Sequence, residues 1–590
     1  MVPAKRPWSG TSNTVIKKLG YLLNDQLDNT SLSSEEICNK IGVSRSQLHR
    51  ILKQETNLSL SHYVRKKRIE QAKRLLGNSK LRISEIADAV GINNHQNFTK
   101  YFGLEYGINP SKYRAKLEKE ENSIPIDNQN TIAVLPFVNF SNDPDQEYFS
   151  DGMAEEIINL LVQETSLKVV GRTSAFAFKN KLVDLRTIGE SLDVNYILEG
   201  SVRKAGKKVR ITAQLIKVDD GYHLWSQKYD CDLTDIFRVQ DEISASILEE
   251  IKDELLGGFA HPVSKRTNRD PEAYEYYLKG LHFLNKYSST ENFQKAIAYF
   301  ERALVIEPDY TECLAEKASC YIQLWFFSQI DPADSVEKAQ ALLSKASKLD
   351  PNNVSVLVRE AHLSTWHYWD IEAAKVLLGK ALKIAPNNID VHLHLSVALT
   401  YLGEYDKAEK VIQRSITLDP LSAILHFAHA WIFWYKNDLD KCKEILDELI
   451  SFKPKFWGGH YLKAVVYLET GRSGIALDLA EESASLYPSS MTYGVLGQTH
   501  LLNGNFDKTR KIVANIVAYM ELFPVSNFDL GHLYMGLGEF EKSRDYFQKA
   551  FDAHEGRMLF LLPSCRKLGF LEKHPYFKPF FDHFKAVTNA

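Results

Sequence analysis

The sequence predicts a multidomain protein with an all-α double helix-turn-helix module, a mixed α/β domain and an all-α solenoid, in that order. Short amphipathic helices separated by Gly, Asn and Ser fill residues 14–117. Strand and helix patterns alternate over 131–255, as they do in α/β domains. A repeating helical pattern covers 270–555. The chain has 590 residues, too many for one hydrophobic core, which agrees with several domains.

Three further segments are expected to join or close these parts. Residues 1–13 are a flexible N-terminus, the polar stretch 118–130 is a linker, and 556–590 are a cap over the last helix. The first residues lack the apolar core of a secretory signal, and the sequence has no apolar run long enough to span a membrane. The six cysteines form no CxxC pair and suit buried, reduced thiols. These features predict a soluble, cytoplasmic protein.

Charge is distributed unevenly along the chain. The net formal charge is -3. Residues 1–122 contain 21 Lys and Arg against 12 Asp and Glu, whereas the remainder contains 51 against 63. A basic N-terminal part, residues 1–122, followed by an acidic remainder indicates that the N-terminal part binds a polyanion, although scattered charge could give the same asymmetry.

Two segments within residues 1–122 have the sequence pattern of a helix-turn-helix. They are SSEEICNKIGVSRSQLHRILKQE and RISEIADAVGINNHQNFTKYFGLE, and each has a glycine, Gly42 or Gly91, at its turn. The apolar residues around each turn would hold the two helices at a steep angle, so that the second helix presents a polar face. One such pattern is weak evidence. Two patterns joined by a basic helix, YVRKKRIEQAKRLL, are far more specific.

Residues 14–117 resemble the AraC-type DNA-binding domain. The residues that carry the resemblance are Gly42, Ser44, Leu48, Arg50, Tyr63, Arg68, Ala72, Leu75, Ile83, Ile86, Ala87, Gly91, Phe98, Phe102, Gly107, Pro110, Tyr113 and Arg114. The resemblance implies that two recognition helices enter successive major grooves and that Arg68 is structural. Many members carry this module at the C-terminus, so the family's usual sugar-binding domain has no support here.

The resemblance also selects the residues that would read DNA. They are Ser46, His49 and Arg50 in the first recognition helix, and His95, Gln96, Asn97 and Lys100 in the second. Arginine can bridge two acceptors of guanine, and glutamine or asparagine can pair with adenine. Each of these residues could instead be solvated or contact a phosphate. Arg50 suits packing or a phosphate contact as well as base reading, because about half of all such contacts go to the backbone.

The middle domain resembles the TolB-like (FlgO-type) domain that often precedes tetratricopeptide repeats in bacterial regulators and cyclases. The stretches that carry the resemblance are IAVLPFVNFSNDPDQEYFSDGMAEEI, VVGRTSAFAFKNK, YILEGSVRKAGKKVRITAQLI and LWSQKYDCDLTDIFRVQDEI. Ser150, Asp151 and Gly152 could belong to a site. The favoured alternative is that Asp151 and Gly152 shape the loop before a helix and cap its N-terminus.

The last helical region repeats with a period of 34 residues. Prolines close successive helix pairs at Pro308, Pro351, Pro386, Pro420, Pro454 and Pro488, and the long first interval predicts an insertion near WFFSQIDPADS. This spacing and the small residues at helix contacts resemble tetratricopeptide repeats, with about eight units over 270–555. Such a solenoid offers a concave surface to a protein or peptide. Its tryptophans are assigned mainly to the repeat core, although some could line that surface.

The sequence contains no pattern typical of catalysis. It lacks a P-loop, HExxH, GxSxG and any Cys/His set with metal spacing, so no enzyme activity, cofactor or metal is expected. His392 and His394 are two residues apart on a helix and do not share a face.

The predicted function is a bacterial transcription regulator that binds a specific DNA sequence through 14–117 and a protein or peptide through its repeats. A homodimer is possible in this scheme, in which partner binding alters the pairing of two heads on DNA. One alternative is a signalling scaffold whose head is a docking module. Another is a nucleotide-binding or hydrolytic middle domain.

Overall fold

The computed structural model describes residues 15, 19, 33–56, 58–78, 81–92, 94–114, 131–141, 143, 146–164, 167–251, 269–286, 290–326, 332–520, 525–564 and 573–588. The chain forms two compact units, Met1–Asn128 and Gln129–Ala590. The expected N-terminal segment 1–13 and the expected linker 118–130 lie outside the described residues. The predicted fold class is confirmed: a helical head, a small mixed sheet and a long helical solenoid follow one another.

The first unit, called the head here, contains two helical bundles joined by one long helix. Its helices are α1 (Ser34–Ile41), α2 (Arg45–Thr56), α3 (Leu60–Asn78), α4 (Ile83–Ala89) and α5 (His95–Tyr106). The N-terminal core gathers apolar side chains of α1 and α2, and the C-terminal core gathers those of α4 and α5 around Phe98 and Phe102. Helix α3 contributes to both cores, with Tyr63 in the first and Ile69 in the second. It therefore joins the two bundles.

The second unit begins with a mixed sheet. Its strands are β1 (Thr131–Val134), β2 (Val138–Asn139), β3 (Lys168–Val169), β4 (Tyr196–Ala205), β5 (Lys208–Lys217) and β6 (His223–Asp232). The order is β3-β1-β4-β5-β6, with β2 also on β4; pairs among β1 to β4 are parallel, and β4-β5-β6 is an antiparallel meander. The expected α/β domain is therefore present.

Helices cover both faces of this sheet. They are α6 (Glu147–Glu164), α7 (Arg172–Phe176), α8 (Leu185–Leu192) and α9 (Ile236–Ile251). Because side chains alternate along a strand, Ile132 and Val134 of β1 pack with α6 and α9, whereas Ala133 packs with α7 and α8.

The rest of the second unit is a solenoid of helix pairs. Among the described residues the eight pairs, numbered here as repeats 1 to 8, comprise α10 (Pro271–Leu284) and α11 (Thr290–Ile306), α12 (Thr311–Phe326) and α13 (Pro332–Leu349), α14 (Val354–Trp366) and α15 (Ile371–Ile384), α16 (Ile389–Tyr401) and α17 (Tyr405–Leu418), α18 (Ala423–Lys436) and α19 (Leu439–Phe452), α20 (Trp457–Glu469) and α21 (Ser473–Leu486), α22 (Ser490–Leu502) and α23 (Phe506–Met520), and α24 (Asn527–Gly536) and α25 (Phe540–Asp552). The long first interval is taken up largely by the helices of repeat 2, which have 16 and 18 residues where repeat 3 has 13 and 14.

Small residues allow these helices to pack closely. In repeat 4, Ala408 and Ser415 are fully buried, as expected for positions of close helix approach. In repeat 1, a β-carbon at Gly280 would lie 2.3 Å from Phe300 of the paired helix. None of the described helices is both long and apolar enough to cross a membrane.

The sheet and the first repeats share one hydrophobic core. Tyr274, Leu278 and Phe300 of repeat 1 belong to the same buried cluster as Ile132 of β1 and Ile157 of α6. The sequence patterns change from α/β to helical near residue 270, and the packing is continuous across that change. The middle domain and solenoid therefore form a single structural body.

The described part of the C-terminal end packs against the last helix pair. The segment contains a 3₁₀ helix (Gly556–Phe560), α26 (Leu561–Ser564) and α27 (Lys578–Thr588). Ring centroids of Phe577 and Phe580 lie 6.0 and 6.3 Å from that of Phe547 in α25. The cap also reaches repeat 3, where the ring of Phe584 lies 4.9 Å from that of Trp369.

Candidate nucleic-acid interface

The two recognition helices of the head begin in the same way. The Ser44 hydroxyl accepts a hydrogen bond from the backbone nitrogen of Gln47 (3.2 Å), and the Asn94 side-chain oxygen accepts one from that of Asn97 (2.9 Å). Serine and asparagine are favoured at this position because their oxygens satisfy amides that lack a partner within the helix. Four residues after each cap, Leu48 or Phe98 is buried in the core. Each helix is therefore fixed in its rotation about its own axis.

That rotation leaves the predicted residues of the first recognition helix, α2, exposed. Ser46, His49 and Arg50 are exposed, while Leu48 and Leu52 are buried on the opposite side. Residues three and four apart lie on one face of a helix, so the three polar side chains share a face. The arrangement suits a helix that packs on one side and offers hydrogen-bonding groups on the other.

In the second recognition helix, α5, the predicted residues are also exposed, and one has an intramolecular partner. Gln96, Asn97 and Lys100 are exposed beside the buried Phe98. The Nε2 atom of His95 lies 3.3 Å from a carboxylate oxygen of Asp88, and both side chains are more than half exposed. His95 is therefore held by the preceding helix, a contact that its sequence position did not reveal.

The caps and cores of the two helix-turn-helix motifs define which exposed residues correspond to one another. Gly42 and Gly91 differ by 49 positions, whereas Ser44 and Asn94 differ by 50, because the second turn has one additional residue. In this register Ser46 corresponds to Gln96, and Arg50 corresponds to Lys100.

This register also identifies two residues that the sequence prediction omitted. Arg45 and Gln47 correspond to His95 and Asn97, and both are exposed. The spacing from each cap residue to the following buried residue, Leu48 or Phe98, is the same in both helix-turn-helix motifs. That spacing could have identified Arg45 and Gln47 from the sequence.

Four basic residues of α3 contact other parts of the head. Arg68 donates from Nη1 to the carbonyl oxygen of Gly91 (3.0 Å), which agrees with its expected structural role. Lys66 pairs with Glu105 at 3.3 Å. Arg65 and Lys73 lie 4.5 and 4.8 Å from the ring centroids of Tyr101 and Tyr106. These cations therefore fasten α3 to the second bundle.

The Ser150–Gly152 stretch in the second unit lies inside a helix, which corrects the expectation of a capping loop. Helix α6 begins at Glu147, so Asp151 lies beyond its first turn and does not cap it. The carboxylate of Asp151 lies 2.5 Å from Lys179 Nζ and 3.8 Å from His282 Nδ1. Burial lowers the pKa of His282. Gly152 faces Leu278, where a β-carbon would lie 2.7 Å away. The stretch thus serves the junction of sheet and repeats.

The family models that match the chain agree with its three parts. Residues 37–116 match a helix-turn-helix domain, and residues 128–246 match the second domain of HilA/YgeH-like transcriptional regulators. Residues 287–310, 370–432 and 525–553 match tetratricopeptide repeats.

Similar proteins include transcription regulators and proteins named as enzymes. The chain is 40% identical over 178 residues to putative adenylate cyclase 3 of Rhizobium meliloti, which covers 30% of each protein. It is 23% identical over 274 residues to transcriptional regulator HilA of Salmonella typhimurium, 45% of this chain and 48% of that one. It is 36% identical over 81 residues to the HTH-type transcriptional activator RhaR of Yersinia pestis, 14% of this chain and 28% of that one. The chain thus spans less than half the length of these curated relatives.

The matched regulator and repeat domains are non-catalytic types. One chain therefore contains a helix-turn-helix match, two helices with exposed polar faces, α2 and α5, and a solenoid. The head is thus similar to the helix-turn-helix domains of transcription regulators, the second unit is similar in part to HilA-type regulators, and the solenoid is similar to tetratricopeptide repeats.

Proposed function

We propose that the chain is a bacterial transcription regulator whose head binds a specific double-stranded DNA sequence and whose repeats bind a protein or peptide. The observation that carries the proposal is the pair of equivalent, capped helices, α2 and α5, each with an exposed polar face opposite a buried one. A helix of this kind fits the major groove, where each base pair displays a distinct set of donors and acceptors.

The proposed DNA contacts fall into two groups. Gln96 and Asn97, near the start of α5, are suited to reading adenine through paired hydrogen bonds. Arg50 and Lys100 occupy the same position in their helices and serve guanine or phosphate. Ser46, His49 and His95 complete the set, and the structural register adds Arg45 and Gln47.

The remaining parts of the proposal concern the rest of the chain. We take the domain limits to be 14–117, 131–255 and 270–555, with a linker at 118–130 and a cap at 556–590. The middle domain is of the TolB-like kind, without catalytic activity, and it couples the repeats to regulation. The protein acts in the cytoplasm, and a homodimer would place two heads on one operator.

Selection of bound sequences from random DNA with the full chain tests the proposal and supplies the operator. In mobility-shift titrations, Gln96→Ala should reduce discrimination between the operator and a site with one changed base by about tenfold, as expected for one lost bidentate contact. Leu104→Ala is the matched control, since Leu104 is 74% exposed on the same helix. Unchanged discrimination in Gln96→Ala would refute the proposed register of α5. If the full chain shows no salt-sensitive binding to DNA, the scaffold alternative gains support.

A further inference from the structure

The inner face of the solenoid is partly filled by the chain's own C-terminal segment. First helices of successive repeats contact one another, as α14 contacts α16 and α16 contacts α18, and they line this face. The segment Glu555–Leu561, called the plug here, leaves the last repeat and lies against them. Its residues Met558, Leu559, Phe560 and Leu561 are 0%, 0%, 6% and 1% exposed. They share one hydrophobic cluster with residues of repeats 2 to 6 and repeat 8.

One aromatic side chain of the plug occupies a pocket built from three repeats. The ring centroid of Phe560 lies 4.8 Å from that of Trp431 in repeat 5 and 5.9 Å from that of Trp366 in repeat 3. It also lies 6.4 Å from that of Phe528 in repeat 8. All three approaches are near edge-to-face, the geometry that aromatic pairs favour. Residues far apart in sequence thus form one aromatic pocket.

Two polar contacts anchor the plug just before Phe560. Arg557 forms a buried ion pair with Asp529 of α24. Burial raises the pKa of Asp529, and the charge of Arg557 opposes that rise. The hydroxyl of Tyr435, in repeat 5, donates to the carbonyl oxygen of Leu559 at 3.0 Å. These anchors bind the plug by side chain and by backbone, as a groove binds a peptide.

The plug's local geometry explains why an arginine and a phenylalanine act together. Gly556–Phe560 is a 3₁₀ helix, in which residues three apart lie directly above one another. Arg557 and Phe560 are three apart, so both side chains face the groove at once. Gly556 lies so close to repeat 3 that a β-carbon would be 2.9 Å from the carbonyl oxygen of Trp366. The groove therefore selects glycine, arginine and an aromatic residue at fixed intervals.

We propose that the plug is an intramolecular ligand of the solenoid groove, and that the groove's partner is a peptide with the same Gly-Arg-x-x-Phe pattern that takes the plug's place. This inference rests on the proposed function in placing the partner in the repeats. The plug lowers the groove's apparent affinity for such a partner, because a partner binds the fraction of molecules in which the groove is open. Release of the plug then accompanies partner binding.

Binding of a fluorescent peptide to the full chain tests this proposal. The probe is a synthetic peptide of residues 553–563, AHEGRMLFLLP. Phe560→Ala in the chain weakens the plug, so it should bind the probe at least about tenfold more tightly than the unchanged chain does. A probe in which Phe560 is replaced by alanine should lose that gain. Phe506→Ala is the matched control, because Phe506 is 52% exposed and lies outside the groove contacts described above.

Equal probe affinity in Phe560→Ala and the unchanged chain, with both folded by circular dichroism, would overturn the proposal. If Phe560→Ala does not fold, hydrogen exchange of the unchanged chain decides. A displaceable plug predicts that amides of 558–561 exchange at least about tenfold faster than those of α18, through local opening. Equal protection means a permanent core and overturns the proposal. The probe assay contains no DNA, so its failure and a failure of DNA recognition are separate results.

Discussion

Asp419 joins the solenoid to the middle domain through a buried contact whose loss can be predicted. Its side chain is 3% exposed, and one carboxylate oxygen accepts hydrogen bonds from the backbone nitrogen (2.7 Å) and the hydroxyl of Ser174 in α7. The Ser174 hydroxyl also accepts from the backbone nitrogen of Leu421 at 2.8 Å. Beside it, Gly171 donates from its backbone nitrogen to the carbonyl oxygen of Leu418 at 2.7 Å.

Asp419→Ala should open this junction locally. The substitution leaves the Ser174 amide and hydroxyl buried without an acceptor, and each unsatisfied donor costs about 1–3 kcal/mol. Rotation of the hydroxyl toward another oxygen recovers part of this, so a net loss of about 2–4 kcal/mol is expected. The unit is too large for its unfolding to be treated as two-state, so a global free energy would be a poor measure.

Hydrogen exchange at the amides of Ser174 and Leu421 is the appropriate assay. A loss of about 2–4 kcal/mol predicts exchange about 30 to 1,000 times faster when exchange follows local opening. Asp406→Ala is the control, because Asp406 lies on α17 with its side chain 86% exposed and pairs with Lys436 at the surface. Such exposed pairs contribute little to stability. Unchanged protection at Ser174 in Asp419→Ala, or an equal loss in Asp406→Ala, would refute the argument.

Three further predictions concern the repeats and the head. Gly280→Ala should destabilise repeat 1 by about 1–3 kcal/mol, because its β-carbon would lie 2.3 Å from Phe300, whereas Gly379→Ala, with open space around it, should be neutral or stabilising. Equal protection of repeat 1 amides from hydrogen exchange in the Gly280→Ala and unchanged chains would contradict this. Burial lowers the pKa of His392 to about 4, so folding favours its neutral form and this contribution to stability is lost as pH falls from about 6.5 to about 4. His392→Gln should reduce that loss by up to about 3 kcal/mol, measured as the protection of repeat 4 amides relative to their intrinsic exchange rates, and an unchanged pH dependence would contradict it. Lys100→Ala should weaken binding to all DNA sites alike and reduce the salt slope by about 1 if Lys100 contacts phosphate, whereas a loss confined to one base position would mean that it reads a base.

The repeat period was predictable because the prolines that close successive helix pairs recur at regular intervals. The interval between prolines reports helix lengths and turns, which local sequence determines. A second signal has the same period as the prolines. His392, His426 and His460 are 34 residues apart, and the Nε2 atom of each lies 2.7–2.9 Å from the carbonyl oxygen of the proline six residues before it. Each histidine thus binds the turn that precedes its helix.

The contacts that break the period could not be predicted from one sequence. Asp350 and Asp419 occupy the same place in their repeats, each just before the closing proline. Asp350 accepts a hydrogen bond from the backbone nitrogen of Asn352 (3.0 Å), whereas Asp419 binds Ser174, 245 positions away. The local sequence is alike, and the difference comes from the position of α7 in the folded chain. Long-range packing, and not the repeat itself, gives Asp419 its role.

The same reasoning applies to the two candidate binding surfaces. The recognition helices were predictable because a cap, a turn glycine and a buried residue lie within a few positions of one another, and their exposed residues follow from helical geometry.

The groove was predictable as a concave surface but not as an occupied one. The pocket around Phe560 draws Trp366, Trp431 and Phe528 from repeats whose sequence separation reaches 162 positions. Curvature of the solenoid brings these residues together, and that curvature is the sum of small rotations between repeats that no single repeat specifies. A change in curvature would therefore alter the aromatic pocket at three points at once, which makes the groove sensitive to whatever binds along it.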